Sequence, residues 1–63
     1  MTQKEISYLE DAVRHEDSII SIINDTISNL NDENLVSFFE REVDVHKDMK
    51  KNLLELLEVK SNG

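Results

Sequence analysis

Hydrophobic residues in the first half of the chain recur at alternating steps of three and four, the spacing of a coiled-coil seam. Seven of the eight positions in this series are apolar. Before it, Thr2 is followed three residues later by Glu5, which matches a capping box at a helix start. The pattern predicts a helix over residues 3–29. The positions of the series are Ile6, Leu9, Val13, Glu16, Ile20, Ile23, Ile27 and Leu30.

The second half of the chain carries a broader apolar face at helical spacing. Residues 28–34 are rich in turn-forming and capping side chains, with Asn31 or Asp32 as the expected cap. We therefore expect a second helix over residues 32–59 and a frayed end over residues 60–63. Its apolar face comprises Leu35, Phe38, Phe39, Glu42, Val45, His46, Met49, Leu53, Leu56 and Leu57, and its solvated face comprises Glu40, Arg41, Asp44, Lys47, Asp48, Lys50 and Lys51.

Two long helices joined by a short connection predict an all-α fold, an antiparallel hairpin spanning residues 1–63 as a single unit. One hairpin covers only part of each broad apolar face. The expected remedy is a homodimer in which two hairpins form a four-helix bundle. The predicted dimer core comprises Ile6, Leu9, Val13, Ile20, Ile23, Ile27, Leu35, Phe38, Phe39, Met49, Leu53 and Leu56.

Composition narrows the classes of function. The 63 residues include no cysteine, which excludes disulfides and thiolate metal sites, and the lone glycine is Gly63, so no glycine-rich phosphate loop is present. Fourteen acidic against seven basic side chains give a net charge of −7, which opposes direct binding to nucleic acid. No signal peptide or membrane span is expected, so we predict a soluble, cytoplasmic protein. No serine has the setting of a nucleophile, and we expect no enzymatic activity.

Three polar residues interrupt the apolar faces. Glu16, Glu42 and His46 fall near one level of the expected hairpin, and a homodimer would double them to four carboxylates and two imidazoles. Ferritin-like di-iron carboxylate sites use the same number of carboxylate and imidazole ligands. Iron, manganese or zinc is therefore a candidate metal for this site. The usual Glu-x-x-His spacing is absent, because Val43 lies three residues before His46. One alternative is that Glu16 and His46 form a hydrogen-bonded pair, which could set helix register. Others are that stagger of the hairpin carries one or more of the three residues to the bundle edge, or that they line a shallow ligand pocket; no other cofactor is expected.

Three stretches of the sequence resemble the spore coat protein F family, small ferritin-like proteins of spore-forming bacteria. The resemblance covers residues 8–57 and is carried by residues 10–16 (EDAVRHE) followed by Ile19 and Ile20, by residues 34–39 (NLVSFF) and by residues 40–46 (EREVDVH). It implies a ferritin-like half-bundle, a place in the spore coat, and Glu16, Glu42 and His46 as counterparts of the inward polar positions of the family.

The sequence supports three hypotheses of function. The favoured one is a non-catalytic helical hairpin that acts by homodimer assembly or protein–protein interaction, associated with sporulation if the resemblance holds. The second is a ferritin-like homodimer that binds metal through Glu16, Glu42 and His46. The third is an acidic regulator that docks on a basic or DNA-binding partner through the side chains of Glu40, Asp44 and Asp48.

Overall fold

The protein is a hairpin of two α-helices. A computed structural model describes the backbone of residues 1–62 and the side chains as far as Val59. Helix α1 is Gln3–Ser28 and helix α2 is Glu33–Asn62, and no strand occurs within residues 1–62. The Cα atoms extend over 47 × 14 × 11 Å, so the molecule is little longer than its helices. The all-helical hairpin expected from the sequence is confirmed.

The two ends of α1 are closed by side-chain and backbone hydrogen bonds. At its start the predicted capping box is present: the backbone N–H of Glu5 donates to the Thr2 hydroxyl at 3.1 Å, and the N–H of Thr2 donates to Glu5 Oε1 at 2.8 Å. At its end the N–H of Asn29 donates to the carbonyl of Thr26 at 3.0 Å. Both sets of bonds satisfy groups that a helix end would otherwise leave without partners.

The capping box makes the first turn of α1 sensitive to acid. The backbone N–H of Thr2, and then its hydroxyl, hold the pKa of Glu5 below the ordinary value of 4.5. A lowered pKa stabilises the folded state above pH 4.5 and loses that contribution as the pH falls through the pKa of the folded carboxyl. We expect an NMR titration to show the Thr2 amide moving with a midpoint below pH 4.5, with loss of helical Cα shifts in the first turn.

The variant Glu5→Gln is the control for this titration, because glutamine keeps the capping hydrogen bond but has no proton to gain. Its Thr2 amide should not move in the same pH range. A Glu5 carboxyl that titrates at or above 4.5 would contradict the prediction.

A short turn reverses the chain and orients α2. The side chain of Asp32 accepts hydrogen bonds from the backbone N–H groups of Asn34 at 2.9 Å and Leu35 at 3.0 Å. Of the two caps considered, Asp32 therefore begins α2, one residue before its first helical residue. At the other end, α2 continues through Asn62 rather than ending at Val59, because no proline or glycine precedes Gly63, which lies outside the described residues.

The helices meet along one series of positions on each, which we call the inner seam. All its side chains are buried or half-buried, and it follows the predicted series on α1 without exception. Val43 at its centre is the one apolar side chain of the described residues that is buried, with 6% exposed. The inner seam comprises Ile6, Leu9, Val13, Glu16, Ile20, Ile23 and Ile27 on α1, Leu30 in the turn, and Val36, Phe39, Val43, His46, Lys50, Leu53 and Leu57 on α2.

The inner seam of α2 corrects the broad face expected there. Val36 and Val43 belong to it although neither was expected, and Lys50, assigned to the solvated face, is half-buried. The stem of Lys50 lies on the seam while its ammonium reaches Asp17 Oδ1 at 2.6 Å, the behaviour of a long side chain that buries its methylenes and keeps its charge at the edge.

Most of the remaining apolar residues lie on a second series of positions, which we call the outer stripe. Each of its members precedes an inner-seam residue in sequence, except Val59, which continues the same spacing. Of the ten large apolar side chains found exposed in the described part of the chain, eight belong to this stripe. The outer stripe comprises Glu5, Tyr8, Ala12, His15, Ile19, Ile22 and Thr26 on α1 and Leu35, Phe38, Glu42, Val45, Met49, Asn52, Leu56 and Val59 on α2.

Both halves of the outer stripe lie on the same side of the hairpin. A step of one residue back along either helix rotates a position by 100° in the same sense about that helix. Because the helices run in opposite directions, these rotations bring the two series to a common side. Tyr8 of α1 and Leu56 of α2 accordingly line one shallow groove. The opposite side is more polar and carries a groove lined by Asn24 and Glu40 among others.

Neither helix, within residues 1–62, combines the length and the apolar composition that crossing a membrane requires.

Candidate functional site

A carboxylate and an imidazole meet at the middle of the inner seam. His46 Nδ1 lies 2.6 Å from Glu16 Oε2, and the ring N–H donates because an ionised carboxylate only accepts. The Glu16 side chain is 10% exposed and that of His46 is 21% exposed. The hydrogen-bonded pair considered from the sequence is therefore present in a single chain.

The pair is the polar interruption of an otherwise apolar region. Along the inner seam Glu16 lies between Val13 and Ile20, and His46 follows the buried Val43. A carboxylate at this depth would be costly without a partner, and the imidazole supplies one. In the described residues no buried side-chain nitrogen or oxygen lacks a hydrogen-bond partner. The site is thus complete as a structural pair.

A second ion pair lies immediately beside the first. Asp17 follows Glu16 by one residue, and Lys50 follows His46 by one helical turn. The Lys50 ammonium lies 2.6 Å from Asp17 Oδ1. The side chain of Asp17 is 54% exposed, so solvent screens this pair far more than its neighbour. Asp17 and Lys50 mark the edge of the seam on the polar side.

Glu42 does not join Glu16 and His46 within one chain. It lies on the outer stripe, half-buried, one position before Val43 of the inner seam. Within residues 1–62, no three aspartate, glutamate or histidine side chains gather in a way that could hold a metal ion. The metal site expected from the sequence needs side chains of two chains, and it stays a prediction.

The geometry of the pair bears on what metal chemistry it could support. The Nδ1 atom of His46 is committed to Glu16, which leaves the Nε2 atom for any further ligand. This is the arrangement in which a carboxylate orients a histidine rather than binding a metal beside it. One imidazole nitrogen is fewer than the three protein ligands of a catalytic zinc site. The single hairpin therefore supplies an oriented histidine and not a metal centre.

The outer stripe is a candidate interaction site. The sequence pattern alone did not distinguish it from the inner seam. Its α2 positions repeat at steps of three and four from Leu35 to Val59, the spacing of a second coiled-coil seam. The signal was present in the sequence but overlapped the inner seam, offset by one residue. Among predicted dimer-core residues, four are exposed in the single chain and all lie on this stripe: Leu35, Phe38, Met49 and Leu56.

The carboxylates proposed for an acidic docking surface lie away from the outer stripe. Glu40, Asp44 and Asp48 are all exposed, and Glu40 and Asp44 line the groove on the polar side of the hairpin. Docking of these residues on a basic partner stays a prediction.

The chain matches no protein-family model, no curated protein and no solved structure. The resemblance to the spore coat protein F family, and the roles that it implies, therefore stay predictions.

Proposed function

We propose that this protein is a non-catalytic assembly module in which two hairpins pair through their outer stripes into a four-helix bundle. The observation that carries the proposal is the concentration of exposed apolar side chains on one side of the hairpin. Exposed apolar side chains gathered on one side of a molecule are typical of an interaction site, whereas single scattered ones are common on any surface. The polar sides of the two hairpins would then form the exterior of the bundle.

The surface of the single hairpin supports a partner. Its accessible area is 4833 Å², whereas a compact monomer of this mass exposes about 4,200 Å². Its radius of gyration is 14.6 Å, whereas about 10.6 Å is expected for a compact domain of this length. A second copy packed on the outer stripe would cover this additional accessible area. It would also add a second layer of helices along the shortest dimension of the hairpin.

The size of the outer face suits a stable dimer. Its Cα atoms extend over 47 by 14 Å. The area of that face, with its side chains, is of the same order as the ~800 Å² that each partner buries in a standard interface. Two-helix layers that pack face to face give a four-helix bundle, an architecture with a core shared by all four helices. We place this dimer in the cytoplasm, or in the spore coat as the resemblance implies, where its exterior would bind other proteins.

Sedimentation equilibrium tests the proposal. We expect the protein at micromolar concentration to sediment as a species of twice its 7.3 kDa chain mass. Burial of the outer stripe is the physical reason, since each large apolar side chain taken from water contributes about 1.5–3 kcal/mol. A species of 7.3 kDa at the same concentration would refute the proposal.

A further inference from the structure

The order of residues along the outer stripe of α2 is complementary to itself when reversed. If a second copy of α2 is turned end for end about the level of Lys47, every stripe residue meets another stripe residue. Large apolar residues then meet large apolar residues, and the two polar members meet each other. The facing pairs are Leu35 with Val59, Phe38 with Leu56, Glu42 with Asn52, and Val45 with Met49.

The outer stripe of α1 can also face its own reversed copy about the level of Asp17, in position although not in polarity. Reversal about that level places six stripe residues opposite one another, with Thr26 opposite Tyr8 and His15 opposite Ile19, and leaves Glu5 opposite Asn29, outside the stripe. The facing pairs are Tyr8 with Thr26, Ala12 with Ile22, and His15 with Ile19. The two helices of the hairpin therefore each have a centre about which the stripe can face its own reversed copy.

The hairpin places these two centres at the same height. Glu16 lies beside His46, Tyr8 shares a groove with Leu56, and Asn24 shares a groove with Glu40. This register puts Asp17 level with Lys47, so a single two-fold axis serves both helices at once. Steps of three and four repeat such centres every half-heptad, so the pairing of Glu42 with Asn52 on α2 is what selects this level.

We infer that the second copy packs end for end, about a two-fold axis perpendicular to the helices at the level of Asp17 and Lys47. In this arrangement α1 lies on the partner's α1 and α2 lies on the partner's α2, each antiparallel. The inference rests on the proposed dimer and adds its orientation and register. Its central feature is a hydrogen bond between Glu42 and the partner's Asn52, made twice in the dimer.

Glu42 and Asn52 have the chemistry that such a contact needs. They are the polar members of the α2 stripe, and Glu42 is half-buried already in the single chain. The carboxylate accepts and the amide NH₂ donates, so each satisfies the other when water is excluded. A polar contact of this kind in an apolar interface fixes register, because any shift along the helix leaves both groups without partners.

The other face-to-face arrangement leaves these groups unmatched. A two-fold axis parallel to the helices would keep every level and place α2 on the partner's α1. Glu42 would then face the partner's Ile22, and Asn52 would face the partner's Ala12. Glu42 and Asn52 would each be opposite an apolar side chain, which disfavours that packing, whereas His15 is opposite an apolar side chain in either arrangement.

Disulfide cross-linking between single-cysteine variants distinguishes the two arrangements, since the chain has no cysteine of its own. An E42C chain and an N52C chain of different tag length are refolded together and oxidised. We expect a mixed disulfide in that sample and none in either variant alone. In the inferred dimer, like positions are ten residues apart along the helix, or about 15 Å, beyond the ~7 Å limit on Cα separation for a disulfide.

A second mixture, of E42C and I22C chains, is the counter-test. It should give no mixed disulfide in the inferred register and should give one if the axis runs parallel to the helices. Each sample is also sedimented under reducing conditions. A dimer that cross-links E42C to I22C, or that cross-links neither mixture, overturns the inferred orientation and leaves the dimer standing. A monomer in all samples overturns the dimer itself.

Discussion

Aspartate at both Val45 and Met49 is expected to convert the dimer into monomers. These two residues are 50% and 44% exposed in the single hairpin, so the substitutions disturb little within one chain. In the dimer they lie at the centre of the outer stripe, where four carboxylates would lose water and repel one another. With about 1.5 kcal/mol or more lost at each of the four sites, we expect the dissociation constant to rise by ~10⁴-fold or more. Sedimentation equilibrium measures this change.

Leu54→Asp is the matched control for this experiment. Leu54 is 45% exposed, a fraction similar to the 44% of Met49. It lies on the opposite side of α2 from the outer stripe. Its replacement should leave the dissociation constant within about threefold of the wild-type value, as expected for a surface change of about 0.5 kcal/mol. Equal weakening by V45D/M49D and by L54D would mean that the outer stripe is not the interface.

The two helices and the start of α1 could be predicted because the signals that specify them are local, whereas the end of α2 at Asn62 carries no such signal and lies three residues beyond the predicted end at Val59. The capping box at Thr2 and Glu5 involves residues three apart, and the inner seam of α1 is a single uninterrupted series. Helix α2 could not be resolved as well, because two apolar series offset by one residue merge into one broad face. Which series faces α1 depends on the rotation of α2 about its own axis. That rotation is fixed by packing, where Val43 rather than Glu42 occupies the buried position.

The candidate site was predictable in part for the same reason. A short turn near residue 31 fixes which levels of the two helices meet, and it places Glu16 level with His46. It does not fix which side of a helix is turned inward. Glu42 lies within about a turn of the same level, yet it falls on the outer stripe and away from the pair. The height of a residue along the hairpin follows from its distance in sequence from the turn. Which side of the helix it lies on, relative to the other helix, depends on tertiary packing.

Removal of one member of the Glu16 and His46 pair is expected to cause a large loss of stability for a single side chain. The variant His46→Leu leaves the Glu16 carboxylate, 10% exposed, without its hydrogen-bond donor. We expect the free energy of unfolding to fall by about 3 kcal/mol, as for other buried pairs that lose one partner. Urea denaturation followed by circular dichroism measures it, at a fixed chain concentration because dimerisation adds to apparent stability.

The double variant E16L/H46L separates the cost of an unpaired charge from the value of the pair. Two leucines extend the apolar inner seam and leave no polar group to satisfy, so we expect stability equal to or above that of the wild type. Asp17→Ala is the control, because it breaks the adjacent exposed ion pair and should cost less than about 1 kcal/mol. If E16L/H46L were as unstable as H46L, the pair would stabilise the hairpin by itself. Stability equal to the wild type would mean that the pair adds no net stability, and stability above it would mean that the pair costs stability; in both cases we propose that its value lies in fixing the register in which α1 and α2 meet.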